Sequence, residues 1–166
     1  RHIEFLYEHG AIYKIENGSL LFHGCIPLNE DGTFMDVEIW GKNYSGKALF
    51  DKFDEIARSA YYNNDQASLD IVWYLFYGKQ SPLFGKSQFS YFENIFIEEE
   101  ELRKEIYNPY YKLSNQEEIV DMILDEFGVT GTRRRIVNGH VPVKTKKGEL
   151  PVKAKGKLYV IDGGIA

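Results

Sequence analysis

Two histidines stand in similar settings far apart in the sequence, and both could bind a metal ion. His23 precedes Gly24 within LLFHGCIP (residues 20–27), and His140 follows Gly139 within IVNGHVPVK (residues 136–144). In each segment a short apolar run typical of a β-strand ends near the histidine, and a proline then turns the chain. A strand would fix the backbone while the following loop leaves one imidazole nitrogen free for an ion. A hydrogen-bonded structural histidine is the other interpretation, and both stay open.

The single cysteine, Cys25, follows the first of these pairs. One cysteine excludes an internal disulfide, so we expect a reduced, cytoplasmic setting. No histidine and acid are arranged locally to activate the thiol, which favours a small buried residue over a nucleophile. The run of four acids at residues 98–101 is not a metal site either, because consecutive helical residues point in different directions.

The elements that would position the histidines are predicted from turn signals and apolar spacing. Residues 3–7 are typical of the end of a helix closed by Gly10, and residues 11–15 and 19–22 of two strands joined by an Asn17-Gly18 turn. Residues 46–63 show helical spacing of apolar side chains. A shorter helix is predicted to begin at Ser68 as its cap, to carry Leu69, Val72, Trp73 and Phe76 on one side, and to end near Gly78.

A further helix is predicted from a capping box formed by Ser114 and Glu117. Its apolar face comprises Ile119, Val120, Ile123, Leu124 and Phe127, and Gly128 is the expected residue after its end. Residues 136–138 and 157–161 are predicted strands, and the second of them leads to Asp162. The sequence therefore indicates an α/β protein.

Length and composition fit one domain and exclude two classes of partner. The 166 residues are 43% apolar, enough for one sizeable core, and carry a net charge of −5.

Tyr107, Tyr110 and Tyr111 are expected to pack together rather than to stack on bases, because the chain has no basic aromatic stripe, so no nucleic acid is expected. No apolar run is long enough to cross a membrane. The start at Arg1 and the end just after a Gly-Gly pair suggest a piece of a longer protein.

The last part of the chain is basic. From residue 129 onward the chain has nine lysines and arginines but only two acidic residues, Glu149 and Asp162. A basic segment around the second histidine would suit a small anionic substrate such as a sugar bisphosphate. Within it Lys144, which directly follows HVPV, is the best candidate for binding phosphate. Solvated lysines on strand edges are the alternative.

These motifs carry a family resemblance. HGCIP resembles the HGG element, and NGHVPVK the GH element, of the calcineurin-like two-metal phosphoesterases. The resemblance is closer to the bacterial, Firmicutes-type class III fructose-1,6-bisphosphatases and covers nearly the whole chain, including IEFLYEHGAIYKIENGSLLFHGCIPLNEDG, DIVWYLFYGKQSPLFGK, NPYYKL and KAKGKLYVIDGG. It implies hydrolysis of fructose 1,6-bisphosphate to fructose 6-phosphate and phosphate in gluconeogenesis. It also implies that residues 1–166 form a single domain, the C-terminal half of a four-layer αββα metallophosphatase sandwich.

The same resemblance implies a metal centre that this sequence supplies only in part. His23 and His140 would bind one divalent metal, with Mn2+ expected, and Lys86 stands at about the place of a phosphate-gripping arginine in phosphoprotein phosphatases. The superfamily takes its other ligands and an acid-base histidine from DxH, GDxxDRG and GNH(D/E) elements, none of which occurs here. His2 and His9 lack the strand and glycine context. We therefore expect the fragment to be inactive alone.

Other functions remain open at this stage. The motifs also allow a phosphoprotein phosphatase or a dinucleoside tetraphosphatase, which a substrate panel would separate. A non-catalytic interaction module is a third possibility, and a melting temperature that no divalent metal raises would favour it. Without a second half, one sheet face would be exposed, and homo-oligomerisation is the expected way to cover it.

Overall fold

The computed structural model describes residues 1–88 and 93–162, which form a mixed α/β structure. The strands are β1 (Tyr13–Glu16), β2 (Ser19–Phe22), β3 (Val37–Ile39), β4 (Lys42–Tyr44), β5 (Arg135–Asn138), β6 (Val152–Lys153) and β7 (Leu158–Val160). The helices are α1 (His2–His9), α2 (Gly46–Asn63), α3 (Gln66–Tyr77), α4 (Glu93–Phe96), α5 (Tyr110–Leu113) and α6 (Glu117–Glu126). Short 3-10 turns occupy Glu100–Arg103, Thr145–Lys147 and Ala154–Gly156. The α/β prediction is confirmed at this level.

A five-stranded mixed sheet carries both candidate histidines. Its strand order is β1-β2-β5-β7-β6. The three central strands β2, β5 and β7 are parallel, and the edge strands β1 and β6 are antiparallel to their neighbours. The predicted hairpin is confirmed: β1 pairs with β2, and Asn17 and Gly18 both have positive φ, as a tight two-residue hairpin turn requires.

One face of the sheet packs on α2 and α6. Alternate strand residues such as Leu20, Ile136 and Leu158 are fully buried against apolar side chains of these helices, because successive side chains of a strand point to opposite faces. A second cluster joins the β3–β4 hairpin to α2 and α3. The helix predicted for residues 46–63 is confirmed over that same range.

The other face of the sheet is less well covered. Leu21, Val137, Tyr159 and Val152 form one row across the strands, and each is exposed or only half-buried. Beside this row a groove of about 460 Å³ is lined by apolar side chains that include Leu6 of α1 and Phe76 of α3. An apolar row of this kind suits contact with a further layer of protein.

The apolar side predicted for α3 is not the side that the fold buries. Trp73 and Phe76 are 66% and 60% exposed, whereas Leu75 and Ser68 are buried. Leu75 belongs to the cluster that α3 shares with α2 and the β3–β4 hairpin, so this contact selects which of several apolar stripes turns inward. The N-cap of α3 also differs from the prediction. The Asp65 side chain accepts the Ser68 amide at 2.8 Å, so Asp65 and not Ser68 is the N-cap residue.

The capping box predicted for α6 is also wrong, although the helix is present. Gln116 is its N-cap residue, and Ser114 instead ends α5 by donating its amide to Tyr110. The predicted apolar face is confirmed, with Val120, Ile123 and Leu124 buried, and Gly128 has φ +68° just after the helix. Ser114, the expected N-cap of α6, is instead the C-cap residue of the short helix α5. Among the described residues, no helix is both long and apolar enough to span a membrane.

Candidate metal centre

The two histidines predicted as metal ligands meet at one edge of the sheet. β2 and β5 are adjacent parallel strands, with Leu21 opposite Val137, so their carboxyl ends lie side by side. His23 directly follows β2 and His140 comes two residues after β5. Nε2 of His23 lies 3.0 Å from Nδ1 of His140, although 117 positions separate the residues.

A main-chain carbonyl sets the orientation of the second imidazole. Nε2 of His140 lies 2.8 Å from the carbonyl oxygen of Phe84. A carbonyl only accepts hydrogen bonds, so Nε2 carries the hydrogen and Nδ1 presents its lone pair toward His23. This is the arrangement by which a ligating histidine is usually held.

Burial and nearby charges together lower the pKa of His140 and so favour its neutral form. Burial, first of all, and then the nearby His23 lower the pKa of His140. The hydrogen bond to Phe84 acts in the opposite direction, Lys86 lowers the pKa further and Asp162 raises it. The net effect keeps the imidazole uncharged near neutral pH, which is the state that binds a metal.

The pair fits one metal ion. Two nitrogens bound to one ion at about 2.0–2.1 Å would be about 3.3 Å apart at the tetrahedral angle and about 3 Å apart at a right angle. The 3.0 Å separation here lies at the lower value, and it is also the length of a hydrogen bond between Nε2 of His23 and Nδ1 of His140. Over residues 1–88 and 93–162 there is no cluster of three or more histidine, cysteine or acidic side chains suited to a metal. The described chain therefore offers two candidate nitrogen ligands and no complete site.

Glycine at position 24 allows a loop to approach the first histidine. The Cys25 amide donates to the Pro82 carbonyl at 2.9 Å, and a Cβ on Gly24 would collide with that carbonyl and lie 3.0 Å from the Leu83 carbonyl. The same loop supplies the Phe84 carbonyl to His140. Gly24 thus permits the contact that brings the Phe84 carbonyl to the site.

The two candidate phosphate-binding lysines differ in their surroundings. Nζ of Lys86 is 2.9 Å from a carboxylate oxygen of Glu105 and 5.5 Å from the ring centre of Phe84. Its charge reaches His140, since it lowers the pKa of that residue. Lys144 has an exposed side chain, and its amide donates to Glu149 at 2.9 Å.

Several other basic residues of the last segment are engaged by acidic side chains. Lys157 lies 2.8 Å from Glu117 and 2.7 Å from Asp121, and Arg134 lies 2.9 Å from Asp121. Lys155 also contacts Glu117, and Lys153 contacts Glu149. Acidic side chains, mainly those of α6, thus neutralise much of the positive charge of this segment. Only its remaining lysines and arginines are still candidates for attracting an anionic substrate.

We expect Glu117→Gln to lower the melting temperature at neutral pH and to reduce its dependence on acid. Hydrogen bonds from Lys155 and Lys157 lower the pKa of Glu117 from 4.5 to about 2. The stabilisation is therefore complete above the unfolded-state value and is lost as the pH falls toward 2. Thermal melts between about pH 7 and about pH 3 test this. Glu118→Gln, at an exposed neighbouring position, is the control, and equal acid sensitivity of Glu117→Gln and wild type would refute the expectation.

Two negative predictions concern groups near the site. Cys25 is fully buried, as predicted, and burial raises the pKa of its thiol to about 12, which disfavours the thiolate. Tyr110 and Tyr111 pack with ring centres 5.4 Å apart, and Tyr110 is buried in the core. The interpretation of the tyrosines as packing residues is confirmed for this pair.

Sequence reasoning missed two groups that lie beside the histidine pair. The Phe84 carbonyl left no signal, because any residue type carries a carbonyl. Asn138, buried at the end of β5, does have a signal: an amide side chain is unusual in a buried apolar strand.

Comparison with known proteins supports one family. Residues 1–166 match the profile described as Firmicute fructose-1,6-bisphosphatase. The chain belongs to this family. Curated relatives named "Fructose-1,6-bisphosphatase class 3" include those of Phocaeicola vulgatus, 52% identical over 171 residues, and of Parabacteroides distasonis and Listeria innocua, each 50% identical over 171 residues. Each alignment covers 100% of this chain and 26% of the relative. No solved structure matches the chain.

This member of the Firmicute fructose-1,6-bisphosphatase family thus spans about a quarter of the length of the curated relatives it matches. The family resemblance read from the motifs is confirmed. The roles of His23, His140, Lys86 and Lys144 remain predictions for this fructose-1,6-bisphosphatase segment.

Proposed function

We propose that this chain supplies one histidine pair of a divalent-metal centre, with Mn2+ as the proposed metal. The centre belongs to an enzyme that hydrolyses fructose 1,6-bisphosphate to fructose 6-phosphate and phosphate. The observation that carries the proposal is the 3.0 Å approach of His23 Nε2 and His140 Nδ1. Membership of the fructose-1,6-bisphosphatase family supports the substrate, as do relatives whose names state that activity. We place the reaction in the cytoplasm, which suits a reduced, buried Cys25.

His23 and His140 would hold the metal through Nε2 and Nδ1. A bound divalent metal supplies Lewis-acid stabilisation of charge on the phosphoryl oxygens and lowers the pKa of water. The Phe84 carbonyl keeps the hydrogen of His140 on Nε2, which leaves Nδ1 free to bind. Lys86, whose charge reaches His140, and the exposed Lys144 are proposed to bind the substrate phosphates.

The remaining ligands are proposed to come from the part of the full-length protein outside these 166 residues. Two nitrogens form less than a complete coordination shell, and the chain covers 26% of its relatives. The partly exposed row of sheet residues that includes Leu21 and Val137 is the proposed surface of contact with that part of the protein. In this proposal the described sheet is half of a four-layer αββα sandwich.

The test is phosphate release by the full-length protein from fructose 1,6-bisphosphate, a phosphopeptide and a dinucleoside tetraphosphate, with and without Mn2+. We expect metal-dependent release from the sugar bisphosphate alone, lost on chelation and restored by Mn2+. Preference for either other substrate would overturn the substrate assignment. A melting temperature that no divalent metal raises would instead indicate a non-catalytic module. The fragment of 166 residues is expected to release no phosphate by itself.

A further inference from the structure

Asn138 connects the ends of the two strands that carry the histidines. It is the last residue of β5 and is 2% exposed. Its Nδ2 donates to the carbonyl oxygen of Gly24 at 2.9 Å across 114 positions of sequence. Beside it the Gly139 amide donates to the His23 carbonyl, also at 2.9 Å. These bonds extend the pairing of β2 and β5 beyond the strands, to the two peptides next to the histidines.

The backbone of Asn138 adds a third connection. Its carbonyl accepts the Ile161 amide at 2.8 Å, at the end of β7 and next to Asp162, whose charge reaches His140. Gly24, the acceptor of the side chain, is itself packed on the loop that provides the Phe84 carbonyl. One buried residue therefore links three strand ends around the histidine pair.

The orientation of the Asn138 amide follows from its neighbours. Gly24 presents a carbonyl oxygen, which needs a donor, so Nδ2 must face it. Oδ1 is then turned away, and it is buried without a hydrogen-bond partner in the described part of the chain. Asn138 lines a small cavity of about 60 Å³ together with Tyr110, Tyr111 and Ser114. A smaller apolar residue would leave no unpaired oxygen but could not donate to Gly24.

We infer that Asn138 is a positioning residue, which sets the separation of the His23 and His140 nitrogens by tying Gly24 to the end of β5. The inference rests on the proposed function. Removal of Nδ2 would leave the Gly24 carbonyl without this donor and free the peptide between Gly24 and Cys25 to shift. Groups that orient metal ligands typically change metal affinity by about 10–100-fold when lost.

The experiment compares Mn2+ binding by calorimetry in the full-length protein and in its Asn138→Ala and Asn138→Ser variants. We expect Asn138→Ala to weaken Mn2+ affinity by about 10–100-fold, with activity recovering in part at saturating Mn2+. Asn138→Ser keeps a short hydrogen-bond donor, so its Mn2+ affinity is expected to lie between those of wild type and Asn138→Ala. It is also the milder substitution for folding. The control is Leu49→Ala, in the cluster between α2 and the β3–β4 hairpin, which should lower the melting temperature and leave Mn2+ affinity unchanged.

The outcomes separate this inference from the function on which it rests. Wild-type protein that binds no divalent metal would overturn the proposed function and this inference with it. Wild-type protein that binds Mn2+, beside Asn138 variants of equal affinity, would overturn only the positioning role. An equal loss of affinity in Leu49→Ala would show that general destabilisation explains the effect, and would also overturn it.

Discussion

His23→Ala is expected to lower kcat/KM of the full-length protein for fructose 1,6-bisphosphate by about 10³-fold, since metal stabilisation of a phosphoryl transition state contributes several kcal/mol. Its Nε2 is one of the two nitrogens that meet at 3.0 Å. Removal of either nitrogen leaves a single candidate ligand of this pair, so His140→Ala should have an effect of the same order. Steady-state kinetics with Mn2+ titration, together with the metal content of the purified protein, measure both changes.

His2→Ala is the matched control for these variants. His2 begins α1 and is exposed, so its loss should change neither metal content nor rate. A His23→Ala protein that keeps full Mn2+ content and wild-type kcat/KM would refute the role of the pair as metal ligands. Equal losses in His2→Ala would point to a general effect of removing imidazoles.

Gly24→Ala is expected to lower the free energy of unfolding by about 1–3 kcal/mol, the usual cost of forcing an extra carbon into a packed site, and to weaken Mn2+ binding. The new Cβ would meet two backbone carbonyls, those of Pro82 and Leu83. Backbone atoms cannot rotate away as the end of a side chain can, so the loop must move and take the Phe84 carbonyl away from His140. Denaturant melts and Mn2+ titration test the two effects.

Gly139→Ala is the informative comparison, because Gly139 also adjoins a candidate ligand. A Cβ there would lie 3.6 Å from the Asp162 Cβ and 3.8 Å from the His23 carbonyl oxygen, which is ordinary van der Waals contact. Its amide would keep the bond to His23. We expect its free energy of unfolding to stay within about 1 kcal/mol of wild type. Equal destabilisation by both substitutions would contradict the assignment of Gly24 as the position of close approach.

Local patterns in the sequence predicted those elements whose cause is itself local. The Asn17-Gly18 hairpin follows from two adjacent residues that tolerate positive φ. Helix α2 follows from 18 residues of 3.6-period spacing. The strand-end placement of each histidine and the burial of Cys25 were also predicted from neighbouring residues. The family could be read from motifs for the same reason, since each is a short contiguous string.

Local patterns failed where several residues could serve equally well. Helix α3 has apolar side chains around much of its circumference, and contact with α2 and the β3–β4 hairpin decided that Leu75 turns inward while Trp73 stays exposed. Helix starts showed the same limit. Asp65 lies three residues before Ser68 and caps α3 in its place, and Ser114, expected to cap α6, ends α5 instead.

The sequence by itself determined that two histidines end two strands in a member of the fructose-1,6-bisphosphatase family. Only the tertiary structure decided that they meet, because parallel pairing of β2 with β5 joins segments more than a hundred residues apart. It also decided which groups surround them. The Phe84 carbonyl contacts His140 and the Asn138 amide contacts Gly24, each from a position in space that no local spacing encodes. The difference between Gly24 and Gly139 arises from a loop distant in sequence.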